Sequence, residues 1–138
     1  MSLFPADMTK AQASLVPTSV TTTGTSNGSA VDLAPFENAV LIHVVSTAPS
    51  SGTVTFTVET SDASDSGFAA VDAADLVNPS TGANATFTVA QSGSAVDQTL
   101  AIKKQNVSRY IRVVATRASN PTCVFAASVI ALRKSTDV

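Results

Sequence analysis

Hydrophobic and polar positions alternate most cleanly between Thr53 and Glu59, where Val54, Phe56 and Val58 are interleaved with Thr53, Thr55, Thr57 and Glu59. A period of two puts these sets on opposite faces of a strand and predicts a sheet with one buried face and one wet face. The run Ala39-Val40-Leu41-Ile42-His43-Val44-Val45 is almost continuously apolar over a strand's length. That pattern predicts a central strand covered on both sides. Weaker signals predict strands at Ser19–Thr23, Ala30–Leu33, Phe68–Val71, Ala85–Val89, Asp97–Ile102, Arg109–Thr116 and Cys123–Arg133, with Ile111, Val113 and Ala115 sharing one face. Asp72–Leu76 predicts one helical turn. Turn clusters separate these runs: Gly24–Ser29 with the hairpin signal Asn27-Gly28, Pro49–Gly52, Ser61–Gly67, Asn78–Gly82, Gln91–Ser94, Lys103–Asn106 and Ala118–Pro121. Eight or nine strands at short spacing predict an all-β antiparallel sandwich. No fixed-period repeat points to a propeller or solenoid. Immunoglobulin-like and jelly-roll wirings both stay open, and about eight strands fit a jelly roll better.

The first 17 residues differ from the rest. Ala6–Val16 has no clear apolar stripe and Pro17 would stop a helix, so residues 1–17 are expected to form an extended N-terminal arm ahead of a sandwich domain over residues 18–138. Leu3, Phe4, Met8 and Leu15 are its scattered apolar groups, suited either to a loose leader or to docking on a neighbour.

Composition narrows the chemistry. The 138 residues are 44% hydrophobic but only 13% charged and 5% aromatic, and the shortfall is filled by 18 Ser, 18 Thr, 18 Val and 22 Ala. Such a chain is rich in β-branched residues and poor in the residues of helix surfaces. One His, one Cys, one Tyr and no Trp leave few groups for a conventional active site, so a non-enzymatic role is expected. Cys123 sits among apolar neighbours and reads as a small buried hydrophobe. The start carries no basic segment followed by a long apolar run, and Cys123–Leu132 is too short to span a bilayer, so no membrane partner is expected and synthesis in the cytoplasm is. The glycosylation patterns at Asn27, Asn84 and Asn106 then read as coincidence in a chain rich in Ser and Thr.

The net charge of −2 predicts no general affinity for nucleic acid, yet it hides a division. Residues 1–98 carry nine acidic groups and one basic, net −8, and residues 99–138 carry seven basic and one acidic, net +6. Either the folded surface carries opposed potentials suited to packing against copies or a charged lattice, or interleaved strands spread the charges.

Candidate chemistry is thin. Asp62, Asp65, Asp72 and Asp75 could suggest calcium, but their spacing does not match an EF-hand loop and resembles polar turns, so no metal is expected. A glycosidase pair drawn from these or Glu59 lacks Trp platforms. His43, in the most apolar strand, is expected to be a satisfied core histidine. A Ser-His-Asp triad has no nucleophile elbow to announce it. Gly24–Gly28 lacks the Lys and following helix of a phosphate loop. No cofactor is expected. Lys103, Lys104, Arg109 and Arg112 lie close together with Tyr110 as their one aromatic, too few rings for a nucleic-acid stacking platform and better suited to contacting protein.

Three stretches carry a family resemblance: Ala30-Val31-Asp32-Leu33 with Phe36-Glu37-Asn38-Ala39; Thr55-Phe56-Thr57-Val58-Glu59-Thr60-Ser61-Asp62 leading to Gly67-Phe68; and Arg109-Tyr110-Ile111-Arg112-Val113-Val114-Ala115-Thr116. With the arm and the Thr/Ser/Val/Ala composition, the chain resembles small β-sandwich virion proteins of tailed bacteriophages, in particular capsid decoration or cement proteins. The Arg-Tyr-hydrophobic-Arg strand also occurs in sugar-binding sandwiches, and the Ser-Asp-Ser stretch before Phe68 is an extra here. The resemblance implies a protein on the capsid exterior that bridges major capsid protein subunits, commonly as a homotrimer, and it assigns no catalytic residue. Phe4, Leu15, Lys103, Lys104, Arg109, Arg112 and Arg117 are the expected contact residues. The alternatives are a carbohydrate-binding or receptor-binding module of a tail fibre, or another minor head or tail protein. A small hydrolase ranks last.

Overall fold

The structure is a computed structural model and describes residues 9–133. Eleven strands are present among the described residues: β1 (Thr9–Val20), β2 (Gly24–Asn27), β3 (Val31–Asp32), β4 (Phe36–Ser46), β5 (Thr53–Ser61), β6 (Ala69–Ala70), β7 (Leu76–Val77), β8 (Ala90–Gln91), β9 (Val96–Lys103), β10 (Tyr110–Ala118) and β11 (Cys123–Arg133). They form two antiparallel sheets, one in the order β1-β11-β4-β9-β7 and the other in the order β2-β10-β5-β6, with β3 against β10 and β8 against β5. The expected antiparallel sandwich is thus the fold. The chain passes from one sheet to the other as it advances, and pairing is concentric: β1 meets β11, β2 meets β10 and β4 meets β9. The count exceeds eight because β3, β6, β7 and β8 are two-residue pieces.

The sheets close on one apolar core. Val54, Phe56 and Val58 of β5 face inward as their spacing predicts, opposite Val40, Ile42 and Val44 of β4 and Phe125, Ala127 and Val129 of β11. Phe56 and Phe125 meet edge to face across the layers, ring centres 5.8 Å apart. That geometry suits the quadrupoles of two rings and links the sheets. Asp72 caps a single 3-10 turn, Ala73–Asp75, where a helical turn is expected, its Oδ1 accepting from the Ala74 amide at 3.0 Å.

Three segments depart from expectation. The boundary drawn after Pro17 falls inside β1, which pairs with β11 from Thr9↔Leu132 to Val20↔Cys123. Its alternation is illegible because the register shifts twice, between Ala13 and Leu15 and between Leu15 and Thr18. Each bulge resets the period of two, and Pro17 is tolerated because β1 is an edge strand. Residues 1–8, including Phe4, lie outside the described residues. Asn27-Gly28 makes no tight hairpin turn: the chain turns at residues 21–23, and Gly28 is buried where β1 and β10 converge. Its amide donates to the Val113 carbonyl at 2.8 Å, and a Cβ there would collide with Ser14 and Val113. The glycine serves a close approach of backbones rather than a turn. Ala85–Val89 is not a strand, although Phe87 is buried. The Gln98 side chain stands in for a ladder there, Oε1 accepting from the Thr88 amide at 2.8 Å and Nε2 donating to the Thr86 carbonyl at 3.0 Å.

Candidate interaction surfaces

Each sheet turns one face to the core and one outward, and the outward faces differ in kind. On the β2-β10-β5-β6 sheet, Arg112 stands opposite Glu59 across β10 and β5 and binds it at 2.7 Å. Each side chain of this pair is only 21% exposed, and the Arg112 guanidinium also lies 4.1 Å from the ring centre of Phe68. Partial burial, a charge-assisted hydrogen bond and a ring beneath the cation all hold the guanidinium in place. Arg109 pairs with Asp32 through two hydrogen bonds at 3.0 and 2.9 Å and lies 5.2 Å from the centre of the Tyr110 ring. The hydrogen bond and charge of Asp32 hold the Arg109 guanidinium above its ordinary pKa. Further along, Thr116 stands between Thr25 of β2 and Thr55 of β5.

The basic residues expected to act together are therefore separated. Arg109 and Arg112 sit on this face in intramolecular ion pairs. Lys103 projects from β9 on the opposite sheet, and Lys104 lies in the 3-10 turn Lys104–Asn106 that follows it. Arg117 reaches the end of the sandwich, donating from Nη1 to the Thr22 carbonyl at 2.8 Å. Leu15 is in the core and presents no surface for contact, because the bulges in β1 turn it inward. Of the two readings of the charge division, the strand order favours the one in which interleaved strands spread the charges. β10, from the basic end of the sequence, pairs with β5 and β3 from the acidic part, so Glu59 and Asp32 meet Arg112 and Arg109 directly. The Asp group is also dispersed: Asp62 and Asp65 are exposed in a loop, Asp72 caps its turn, and Asp75 accepts from Asn106 Nδ2 at 3.0 Å. Among the described residues, no three His, Cys, Asp or Glu side chains are grouped to hold a metal.

The other sheet's outward face is apolar at its centre. Pairing aligns Ala11, Ile130, Leu41, Ala101 and Val77 in one row across β1, β11, β4, β9 and β7. Val45 and Val124 add to this face, 40% and 43% exposed. The adjacent row is Ala13, Ser128, His43 and Thr99. His43 is thus no core residue: it is on the outward side of β4, its Nε2 2.6 Å from Asp97 Oδ1. A nearly continuous apolar run hides its alternation, since Val40, Ile42 and Val44 face the core while Leu41, His43 and Val45 face away. Sequence reasoning missed this face, although the signal was present. The run 39–45, read as covered on both sides, neighbours the equally apolar run 123–132, and the chain itself covers both strands on one side only.

No protein-family model and no curated protein matches the chain. Among solved structures, it is similar to a chain of the Bacillus endospore appendages, which form a novel family of disulfide-linked pili, at 12% identity over 93% of this chain and 90% of that one, with a TM-score of 0.50. It is also similar to the SPBc2 prophage-derived protein YomS, at 10% identity over 90% of this chain and 92% of that one, TM-score 0.46. A third similarity is to a chain of infectious bursal disease virus Gx strain, at 10% identity over 94% of this chain and 34% of that one, TM-score 0.43. At these identities the likeness is one of fold alone.

Proposed function

We propose that this chain is a non-enzymatic structural subunit of a bacteriophage virion, a decoration or cement protein that binds the capsid exterior and bridges major capsid protein subunits. The observation that carries this reading is the outward apolar row from Ala11 to Val77, flanked by half-exposed valines, on a sandwich whose Arg109 and Arg112 are tied to its own carboxylates. Such a surface has area to bury against protein, and its core is already complete without it. The sequence resemblance to decoration proteins supports the same role, and the sandwich likeness to proteins of a prophage and a virus is in keeping with it. The segment before β1, with Phe4, is the capsid contact in this reading, and Lys103 contacts a neighbouring subunit. Leu15 serves the core instead.

The test uses heads assembled from the major capsid protein of a phage whose genome encodes this chain. Purified protein added to undecorated heads should bind at a fixed ratio and raise their melting temperature. Removal of residues 1–8, which leaves β1 whole, should weaken binding. Heads that take up no protein would overturn the reading. If a glycan array gave a strong, saturable signal in the same protein, the receptor-binding alternative would replace it.

A further inference from the structure

We propose that the outward face of the β1-β11-β4-β9-β7 sheet packs against the same face of a second copy of the chain, related by a two-fold axis lying between the sheets and across the strands. The first ground is the pattern of cover. β4 and β11 have the composition of strands buried on both faces, and the chain supplies one of the two layers. The missing layer must cover the apolar row from Ala11 to Val77, and the same face of a second copy offers an apolar row of its own.

The second ground is charge. Asp97 and Lys103 stand on the same outward side of β9, six residues apart, with Thr99 and Ala101 between them. They are separated by about 20 Å at the rise of an extended strand. An axis crossing β9 at Leu100 exchanges the two positions, so Asp97 of each copy, which already holds His43 of its own chain at 2.6 Å through one carboxylate oxygen, faces Lys103 of the other. Isologous interfaces require this reciprocity: a residue i that contacts j, and j that contacts i. The same axis crosses β4 at Ile42 and β11 at Val129, which are the register partners on that line. Ile130 is then set over Ser128 and Leu41 over His43 of the second copy, so larger side chains oppose smaller or polar ones. Alternation of large and small across a contact lets two layers interdigitate.

The third ground is area. Four strands spaced about 4.8 Å apart and four rows about 6.8 Å apart give a patch of roughly 500 Å² per copy, or about 1,000 Å² for the pair, the least that a specific interface needs. The free edge of β1 is a poorer site for a second copy, because Pro17, two bulges and the Ser29 amide bonded to the Ser14 carbonyl at 2.7 Å interrupt its hydrogen-bonding groups.

Sedimentation equilibrium of the full chain should give twice the 14.0 kDa chain mass at about 10 µM. Val45→Lys should weaken association by about 10-fold or more while the circular dichroism melt stays cooperative. Thr57→Lys, on the opposite face, should leave the mass unchanged. Asp97→Lys and Lys103→Asp should each weaken pairing, and the double swap should restore it. A monomeric wild-type chain overturns the proposal, as does a trimer, the stoichiometry implied by the family resemblance. So does a dimer indifferent to Val45→Lys or lost with Thr57→Lys, or a double swap that fails to restore pairing. The proposal gives this face to the second copy and leaves the segment before β1 to the capsid, and association is read without capsids, so its failure is separate from failure to bind heads.

Discussion

The two outward faces share strand geometry and one core, yet one is complete within the chain and the other is not. On the β2-β10-β5-β6 sheet, Arg112 finds Glu59 and Phe68, and Arg109 finds Asp32 and Tyr110. On the β1-β11-β4-β9-β7 sheet, the central row is aliphatic and Val45 and Val124 stand half in water. Substitutions on the first face should therefore register in the stability of the isolated chain, and substitutions on the second in what the chain binds. Opposite outcomes on the two faces would make the difference functional rather than compositional.

The largest effect should come from beneath both faces. Phe125→Ala empties the contact with Phe56 and should cost about 3–5 kcal/mol in chemical denaturation, in one transition seen by every probe. Two separable transitions would mean that the sheets are independent and the comparison of their faces misplaced. Next is the clasp between β1 and β10, where Ser14 Oγ accepts from the buried Val113 amide at 2.9 Å and donates to the Ser29 carbonyl at 2.9 Å. Gly28→Ala drives a methyl group into it and should cost about 2–3 kcal/mol. Ser14→Ala leaves the amide unpaired and should cost about 1–3 kcal/mol. If Gly28→Ala melted like the parent, the close approach would not be a constraint.

A direct contrast comes from one change per face. Glu59→Gln removes the charge opposite a guanidinium that is mostly buried, and should cost about 1 kcal/mol. Val45→Ser, on the other face, should alter the stability of the dilute chain by less than about 0.5 kcal/mol. Denaturant titration at low protein concentration measures both, and equal costs would erase the distinction between the faces.

Most of the sandwich was legible because its central strands keep a strict period. β5 starts at the Thr53 that opens the alternation, and β11 matches the expected Cys123–Arg133 run from end to end. β1 was hidden because its bulges break the period that would reveal it. The Asn27-Gly28 signal misled because glycine answers two needs, a turn and a close contact, and sequence does not say which. The ion pairs were hidden as well: Glu59 and Arg112 are 53 residues apart, and only the register of β5 against β10 makes them neighbours. The apolar outward face was legible in hydropathy but read as interior, since a run such as Ala39–Val45 states that both sides want cover without stating what supplies it.

The smallest effect compares the two sides of one sheet through consecutive residues, because Cys123 faces the core at 5% exposure while Val124 faces out. Burial raises the Cys123 thiol pKa, opposed in part by Ser46 and Arg117. The neutral thiol is thus favoured in the folded chain, and the unfolded chain ionises first. Stability from this group is fully present below the ordinary thiol range near about 8.5, and declines as pH rises from there through the folded value. Denaturation midpoints followed from neutral to alkaline pH should fall more steeply for the parent than for Cys123→Ala, with no difference in slope on the acid side. A thiol placed at Val124 should react with a thiol reagent in the native dilute chain, whereas Cys123 should react only as the sandwich opens. Equal reactivity at the two positions would show that the sheet does not separate inside from outside as its alternation requires.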